Sequence, residues 1–324
     1  MASSRSIKRP IKTEMERFEP FFSEQLKSKI PLLRIITNYI LRKKGKQMRP
    51  MLVFLSAKLN GNITEASYVA ATLIELLHTA TLIHDDVVDE TYQRRGFFSI
   101  NALWKSKIAV LVGDYFLSRG LMLALDTDQI GVLKVVSEAV KEMSEGELLQ
   151  IEKSRKLDIT EEVYFEIITK KTATLIAACT TAGAYSVDAT AQKRGWMKEF
   201  GTYLGIAFQI RDDLFDYEKT DLIGKPTGND IREKKMTLPL IHALNSCDAR
   251  ERKKVLSTIR RHHKNDKKVA EVITFVQQKG GIEYTHNKMI EYKNKALAVL
   301  NKFDDGDAKQ ALIELVDFTT ERKK

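Results

Sequence analysis

Pro50 and Pro226 are separated by 175 residues that include no proline. Proline fixes φ and removes an amide donor, so a stretch this long without one lacks the strongest helix breaker. The same stretch is rich in Leu, Ala, Ile, Glu and Lys, which lose little on entering a helix. Strand signals, alternating runs closed by Asn-Gly or Asp-Gly turns, are nearly absent. Asn60-Gly61 is the one Asn-Gly step, and it follows a helical pattern over 50–59, so it reads as a helix C-terminus. We expect an all-α chain of about a dozen helices. Without a solenoid repeat, a low-complexity segment or a dividing linker, the expectation is a single large helical domain over 1–324.

Two helices stand out. One spans about 64–86, opened by Thr64 as its cap; over 69–83 it is apolar on most faces, interrupted chiefly by Glu75 and His78. A helix apolar all round belongs in a bundle core. The second spans about 189–217. Others are expected near 101–125, 129–151, 161–184 and 281–300. Hydrophobic residues make up 43% of the chain and charged ones 30%, which excludes disorder and leaves enough apolar matter for a sizeable core. The longest apolar runs, such as 51–57, fall short of a membrane span. The basic first residues lack the apolar run of a secretory signal, and an organelle-targeting reading of them stays open. Cys179 and Cys247 form no metal or disulfide pattern, which fits a reducing compartment and a cytoplasmic location. The net charge of +10 nominates an anionic partner: nucleic acid, a membrane surface or phosphorylated small molecules.

One pattern occurs twice. His84-Asp85-Asp86-Val87-Val88-Asp89 closes the first apolar helix and Arg211-Asp212-Asp213-Leu214-Phe215-Asp216 the second. Aspartates at i, i+1 and i+4 share one helical face. Two carboxylates roughly 6 Å apart at an effective dielectric of about 20 repel by about 3 kcal/mol. Three at the end of an apolar helix call for neutralisation, and Mg²⁺ suits them because it takes a few carboxylates together with waters and phosphate oxygens. One such cluster is as easily a solvated helix end; two argue otherwise. Six carboxylates match about three Mg²⁺ ions by charge.

In these motifs the chain resembles the trans (E-type) polyprenyl diphosphate synthases, long-chain type. The two DDxxD motifs carry the resemblance, and neighbouring segments extend it over most of the chain. Gly45-Lys46-Gln47-Met48-Arg49-Pro50 resembles the family's GKxxRP, and Arg94-Arg95-Gly96 follows the first motif at the expected interval. Lys171-Thr172 matches the KT pair, Gln209 precedes the second motif by three residues, and Lys225-Pro226 up to Asp230 and Lys235-Met236-Thr237-Leu238-Pro239 resemble the closing segments. There are departures: Lys44 and Lys234 stand where the family has Gly, and Phe98 where many members have Pro. None removes a charged contact, so activity is expected to survive with altered loops.

The resemblance implies a bundle of the isoprenoid synthase type and a reaction that joins an allylic prenyl diphosphate to successive isopentenyl diphosphate units. It implies Asp85, Asp89 and Asp212 as direct Mg²⁺ ligands, with Asp86, Asp213 and Asp216 acting through water or behind them. Arg94, Lys171, Lys225 and Lys235 would hold the allylic diphosphate, and Thr172 and Gln209 would face the developing cation. Lys46, His78, Arg49 and Arg95 would bind isopentenyl diphosphate; Arg forks suit phosphate oxygens. His78 lies seven residues before Asp85, two turns along nearly the same face. A homodimer is implied, and peripheral membrane contact stays open.

Short-chain members carry Phe or Tyr four or five residues before the first Asp; here those positions are Thr81 and Ala80. Both are small, so a growing chain is not blocked there. The helix back to Thr64 rises about 25 Å, room for roughly five further isoprene units. A heptaprenyl or octaprenyl product is expected rather than farnesyl or geranylgeranyl. Two rivals remain. A terpene cyclase shares the fold, but its second motif mixes in Ser, Thr and Glu, unlike Asp212-Asp213-Leu214-Phe215-Asp216. A nucleic-acid-binding protein is suggested by the basic residues of 250–268, which read better as a solvated helix, so no nucleic acid is expected. The charge itself is segregated: residues 1–60 hold 14 Lys/Arg against 4 Asp/Glu, 61–220 hold 17 against 24, and 221–324 hold 22 against 15. The basic blocks carry Lys46, Arg49, Lys225 and Lys235, which ties part of the excess to diphosphate binding.

Overall fold

The structure, a computed structural model, describes residues 4–42, 47–94, 96–218 and 227–321. Among these residues the chain forms sixteen α-helices. The first eight are α1 Ser4–Lys8, α2 Lys12–Gln25, α3 Pro31–Arg42, α4 Met48–Asn60, α5 Glu65–Val88, α6 Ile100–Asp126, α7 Ile130–Lys156 and α8 Glu161–Ile168. A π-helical turn, Thr169–Ala173, then leads into α9 Thr174–Tyr185 and α10 Ala191–Phe215. The rest are α11 Asn229–Arg232, α12 Leu238–Asn245, α13 Ala249–His262, α14 Asp266–Gln278, α15 Gly281–Leu300 and α16 Asp307–Glu321. The expected long helices are all present; the higher count comes from short segments and from the π turn, which divides the helix expected over 161–184. One strand pair was not anticipated: β1 Gln93–Arg94 and β2 Phe97–Phe98 form an antiparallel hairpin, turned by Gly96 at φ +79°. Gly61 does follow α4, with its N–H on Ala57 O at 2.9 Å, but in an extended rather than left-handed conformation.

Helix α9 lies at the centre. Ala177, Ala178, Cys179, Thr180, Thr181, Ala182, Gly183 and Ala184 are all buried, packed between α4 on one side and α10 on the other. Side chains this small let three helices approach closely and leave the apolar bulk to their neighbours. Those neighbours supply Leu52, Phe54, Leu73, Ile74, Phe200 and Leu315, each at most 2% exposed. A second apolar cluster joins α10 to α8, α12, α13, α14 and α15, and a third joins α3, α5 and α6 around Ile36, Ala80, Val112 and Phe116.

Thr64 precedes α5 in extended conformation as expected, but its hydroxyl donates to Ser186 O at 3.0 Å, while Ser67 Oγ accepts the Thr64 N–H at 3.3 Å. The membrane reading needs correction. Both α5 and α6 are long and apolar enough, by length and composition alone, to cross a membrane. Scattered polar residues interrupt every apolar run yet leave the average along each helix high. The most apolar window of α5 is 67% buried, as a core helix should be, whereas that of α6 is only 33% buried. Helix α6 therefore presents Leu103, Val110, Leu111, Leu121, Met122 and Leu125 to the outside.

Candidate active site

Both aspartate motifs sit at helix C-termini, where orphan carbonyls already place partial negative charge. Asp89 is the residue that ends α5 and Asp216 the one that ends α10. Carboxylates there are repelled by the helix as well as by each other, which strengthens the demand for cations. The six are not equivalent. Asp85 and Asp89 are exposed and Asp212 half-buried, whereas Asp86, Asp213 and Asp216 are buried. The peptide carbonyl of Asp86 accepts Thr91 N–H at 2.9 Å and Asn101 Nδ2 at 3.3 Å, which fixes the loop behind the first motif. Asp216 accepts Asn229 N–H on Oδ1 and Asp230 N–H on Oδ2, each at 2.9 Å, and so pins the short helix α11. Asp216 is thus an anchor for the backbone, and only three of the six carboxylates are presented outward.

The second motif is positioned by one face of α10. Gly205, Gln209 and Asp213 follow each other at intervals of four. At Gly205 the helix runs against the π turn so closely that a Cβ would lie 2.5 Å from Ala173 Cα. That contact brings the next turn, Gln209, to Thr172, whose hydroxyl meets Gln209 Oε1 at 2.8 Å. Gln209 Nε2 donates to Asp213 Oδ1 at 2.8 Å and the Tyr164 hydroxyl to Asp213 Oδ2 at 2.7 Å. Burial pushes Asp213 up to about 6, against the two hydrogen bonds that favour its charge.

The KT pair lies within the π turn, an irregularity often found at functional sites. Its other side rests on α7, where Gly146 leaves no room for a side chain: a Cβ would be 2.8 Å from Lys171 N and from Lys170 Cβ. Lys171 Nζ donates to Gln150 Oε1 at 3.3 Å and forms an ion pair with Glu147. Lys235 pairs with Glu233 at 2.5 Å; burial works against its charge, but Glu233 and Asp230 more than offset it and raise its pKa. Asp230 is pushed up to about 8 by burial and then by the carboxylates of Asp213 and Asp216.

Lys171, Thr172, Gln209, Asp213 and Lys235 line one cavity of about 250 Å³, closed by Tyr164, Ile167, Ile168, Asp230, Met236 and Thr237. Five residues expected from the sequence therefore meet in one place. Arg49 and His78 do not line this cavity. Arg49 and Glu75 act electrostatically on the buried Cys179 thiol, which burial pushes up to about 12, so Arg49 stands where α4, α5 and α9 meet. Ala80 is fully buried within the cluster of α3, α5 and α6, and half-buried Thr81 donates to His78 O at 2.9 Å. Arg94 is in β1; Lys46, Arg95 and Lys225 lie outside the described residues, as does the side chain of Arg94.

Sequence reasoning missed Tyr164, and left Asp230 without a role. Tyr164 precedes Lys171 by seven residues, the spacing that places His78 on the face of Asp85, so the same rule could have found it. Among the described residues no three His, Cys, Asp or Glu side chains form a closed metal site. That does not oppose Mg²⁺, which keeps waters and binds through one or two carboxylates plus phosphate oxygens. The outward carboxylates of Asp85, Asp89 and Asp212 are donors of that hard, oxygen-only kind.

A cavity with two lysines beside the second aspartate motif is matched by known proteins. Residues 30–276 fit the family described as Polyprenyl synthetase. The chain belongs to the polyprenyl synthetase family. It is 36% identical to the octaprenyl diphosphate synthase of Escherichia coli over 303 residues, 93% of each chain. It is 35% identical over 316 residues to the geranyl-diphosphate-specific all-trans-nonaprenyl-diphosphate synthase of Rhodobacter capsulatus, 97% of this chain and 96% of that one. The crystal structure of a Caulobacter crescentus polyprenyl synthase, complexed with calcium and isoprenyl diphosphate, superposes with a TM-score of 0.90 at 32% identity, covering 100% of this chain and 99% of that one. The fold is the all-α isoprenoid synthase fold, and the chain is a prenyltransferase. Divalent metal use, an allylic diphosphate and isopentenyl diphosphate all fit the family, whereas the cyclase and nucleic-acid readings find no support.

Proposed function

We propose that this prenyltransferase condenses an allylic diphosphate with successive isopentenyl diphosphate units to a long-chain all-trans polyprenyl diphosphate of the heptaprenyl or octaprenyl kind. The observation that carries the reading is the single cavity in which Lys171 and Lys235 flank the hydrogen-bonded pair Thr172 and Gln209. In the reaction the allylic C1–O bond breaks and the electron pair leaves with pyrophosphate. The isopentenyl double bond then forms the new C–C bond at C1, and the adduct loses a proton to the released pyrophosphate. Lys171 and Lys235 bind the diphosphate, in place of the Glu147 and Glu233 contacts that hold their ammoniums here. Thr172 and Gln209 offer oxygen dipoles to carbon as it becomes positive. Arg49 and His78, with Lys46 and Arg95, bind isopentenyl diphosphate apart from this cavity, and Arg94 and Lys225 complete the allylic side.

Asp85, Asp89 and Asp212 would hold about three Mg²⁺ ions, which when bound would supply Lewis-acid stabilisation of the departing diphosphate. That Asp85 and Asp89 are exposed and Asp212 half-buried, against the burial of Asp86, Asp213 and Asp216, supports this division of roles. The protein works as one domain over 1–324 and as a homodimer, and the apolar face of α6 suits a second copy of the chain. We place it in the cytoplasm, which suits two free cysteines, with peripheral contact to a membrane through its basic surface. Incubation with Mg²⁺, isopentenyl diphosphate and each allylic starter, followed by mass spectrometry of the products, tests the whole reading. No condensation would end it, and products confined to farnesyl or geranylgeranyl diphosphate would end the long-chain part.

A further inference from the structure

The polar wall of the cavity is a hydrogen-bond chain whose direction is set at one end. Asp213 accepts one hydrogen bond on each of its carboxylate oxygens. Tyr164 therefore donates to Oδ2 and Gln209 donates through Nε2 to Oδ1. The amide is thereby fixed with Oε1 toward Thr172, and the Thr172 hydroxyl must give its one proton to that oxygen. What Thr172 has left for the cavity is lone pairs. If the amide of Gln209 were reversed, Nε2 would face Thr172 and turn the hydroxyl proton inward, against a carbon that is becoming positive.

We infer that Tyr164 and Asp213 are positioning residues that hold Gln209 in one amide orientation, so that Thr172 and Gln209 present oxygen lone pairs to the ionising allylic carbon. The inference rests on the prenyl-transfer reading of this cavity. It gives buried Asp213 a role in aiming dipoles rather than in holding a cation. It also accounts for a buried tyrosine whose hydroxyl is spent on a carboxylate of the second motif.

Two variants test it, with a double variant as the rescue, assayed at pH 8 beside the wild-type protein. Tyr164→Phe removes one hydroxyl and keeps the ring. It should lower kcat about tenfold, the worth of one hydrogen bond, while KM for both substrates stays near wild type; the lost bond also lowers the melting temperature of the metal-free protein by a few degrees. Asp213→Asn lets the new amide donate to Gln209 and reverse the chain, with a larger loss of kcat. The double variant Asp213→Asn with Gln209→Glu keeps the total charge and restores the direction. The carboxylate it introduces at position 209 accepts from both the asparagine amide and Thr172. Its kcat should exceed that of Asp213→Asn by about tenfold. A Tyr164→Phe protein with wild-type kcat would overturn the inference. So would a double variant no faster than Asp213→Asn, or a Tyr164→Phe loss that appears equally in KM, as a merely structural role requires. A wild-type protein unable to condense isopentenyl diphosphate would overturn the underlying reading instead, and the inference with it.

Discussion

Lys234 occupies the left-handed region at φ 59°, immediately before the cavity lysine Lys235. The resemblance places a glycine at this position, and the geometry explains why: without a Cβ the conformation is free of the clash that an L side chain meets. Lys234→Gly should therefore raise stability by up to about 1 kcal/mol, net of the greater freedom glycine gives the unfolded chain. Urea unfolding of the two proteins measures it. Asp230 gives a second prediction at this scale. Its folded pKa of about 8 lies above the usual value for a free aspartate, about 4. Between those values the folded protein keeps a proton that the unfolded chain has lost, so the contribution of Asp230 to stability falls as pH rises through that window. Asp230→Asn should remove this fall. Melting temperatures in chelator at pH 5 and pH 8 should diverge less in the variant than in the wild type.

At the scale of elements, close approach of helices decides where the chemistry sits. The π turn with Lys171 and Thr172 is held between α7 and α10, at Gly146 and Gly205. Gly146→Ala would press a methyl group on the Lys171 backbone and displace both side chains. An overpacked contact of this kind costs about 1–3 kcal/mol, and kcat should fall at least tenfold, since roughly an ångström of misplacement at a reacting centre can cost up to a hundredfold. Steady-state kinetics with a melting curve separates the two effects. Helix α5 carries the expected control of product length. Ala80 is fully buried among Ile36, Val112 and Phe116, so Ala80→Phe would also strain the core. Half-buried Thr81 is the cleaner position. Thr81→Phe should shorten the product, read by mass spectrometry, while consumption of isopentenyl diphosphate continues.

For the molecule as a whole, α6 leaves more large apolar residues exposed than any other described helix. Leu111, Met122 and Leu125 are each about half exposed, at 56%, 48% and 52%. Leu111, Met122 and Leu125 recur at helical spacing along one side of α6, which makes this side a candidate interaction surface. Charging it with Leu111→Glu and Leu125→Glu should convert the proposed dimer to a monomer in light scattering, with secondary structure unchanged, and a wild-type protein already monomeric would end the dimer proposal. The segregated charge has a structural counterpart. The acidic middle of the chain places outward carboxylates at the ends of α5 and α10, and Lys235 returns from the basic C-terminal block to the cavity.

The sequence by itself determined the all-α class, the long helices and the two motifs, because proline placement, helical periodicity and i, i+1, i+4 spacing are local properties of the chain. It also placed Lys171, Thr172, Gln209 and Lys235 together through their order in a resembling family. The resemblance already divided the carboxylates of each motif into outer and inner ones; only the tertiary structure shows what holds the inner ones in place. Those contacts come from distant segments: Tyr164 of α8 on Asp213, and the backbone of α11 on Asp216. The tertiary structure also decided that Ala80 is enclosed while Thr81 is not, since the packing of α3 and α6 around α5 distinguishes two neighbours of similar size. The position of a side chain on its own helix is written in its spacing; what lies opposite it is set by how the helices pack.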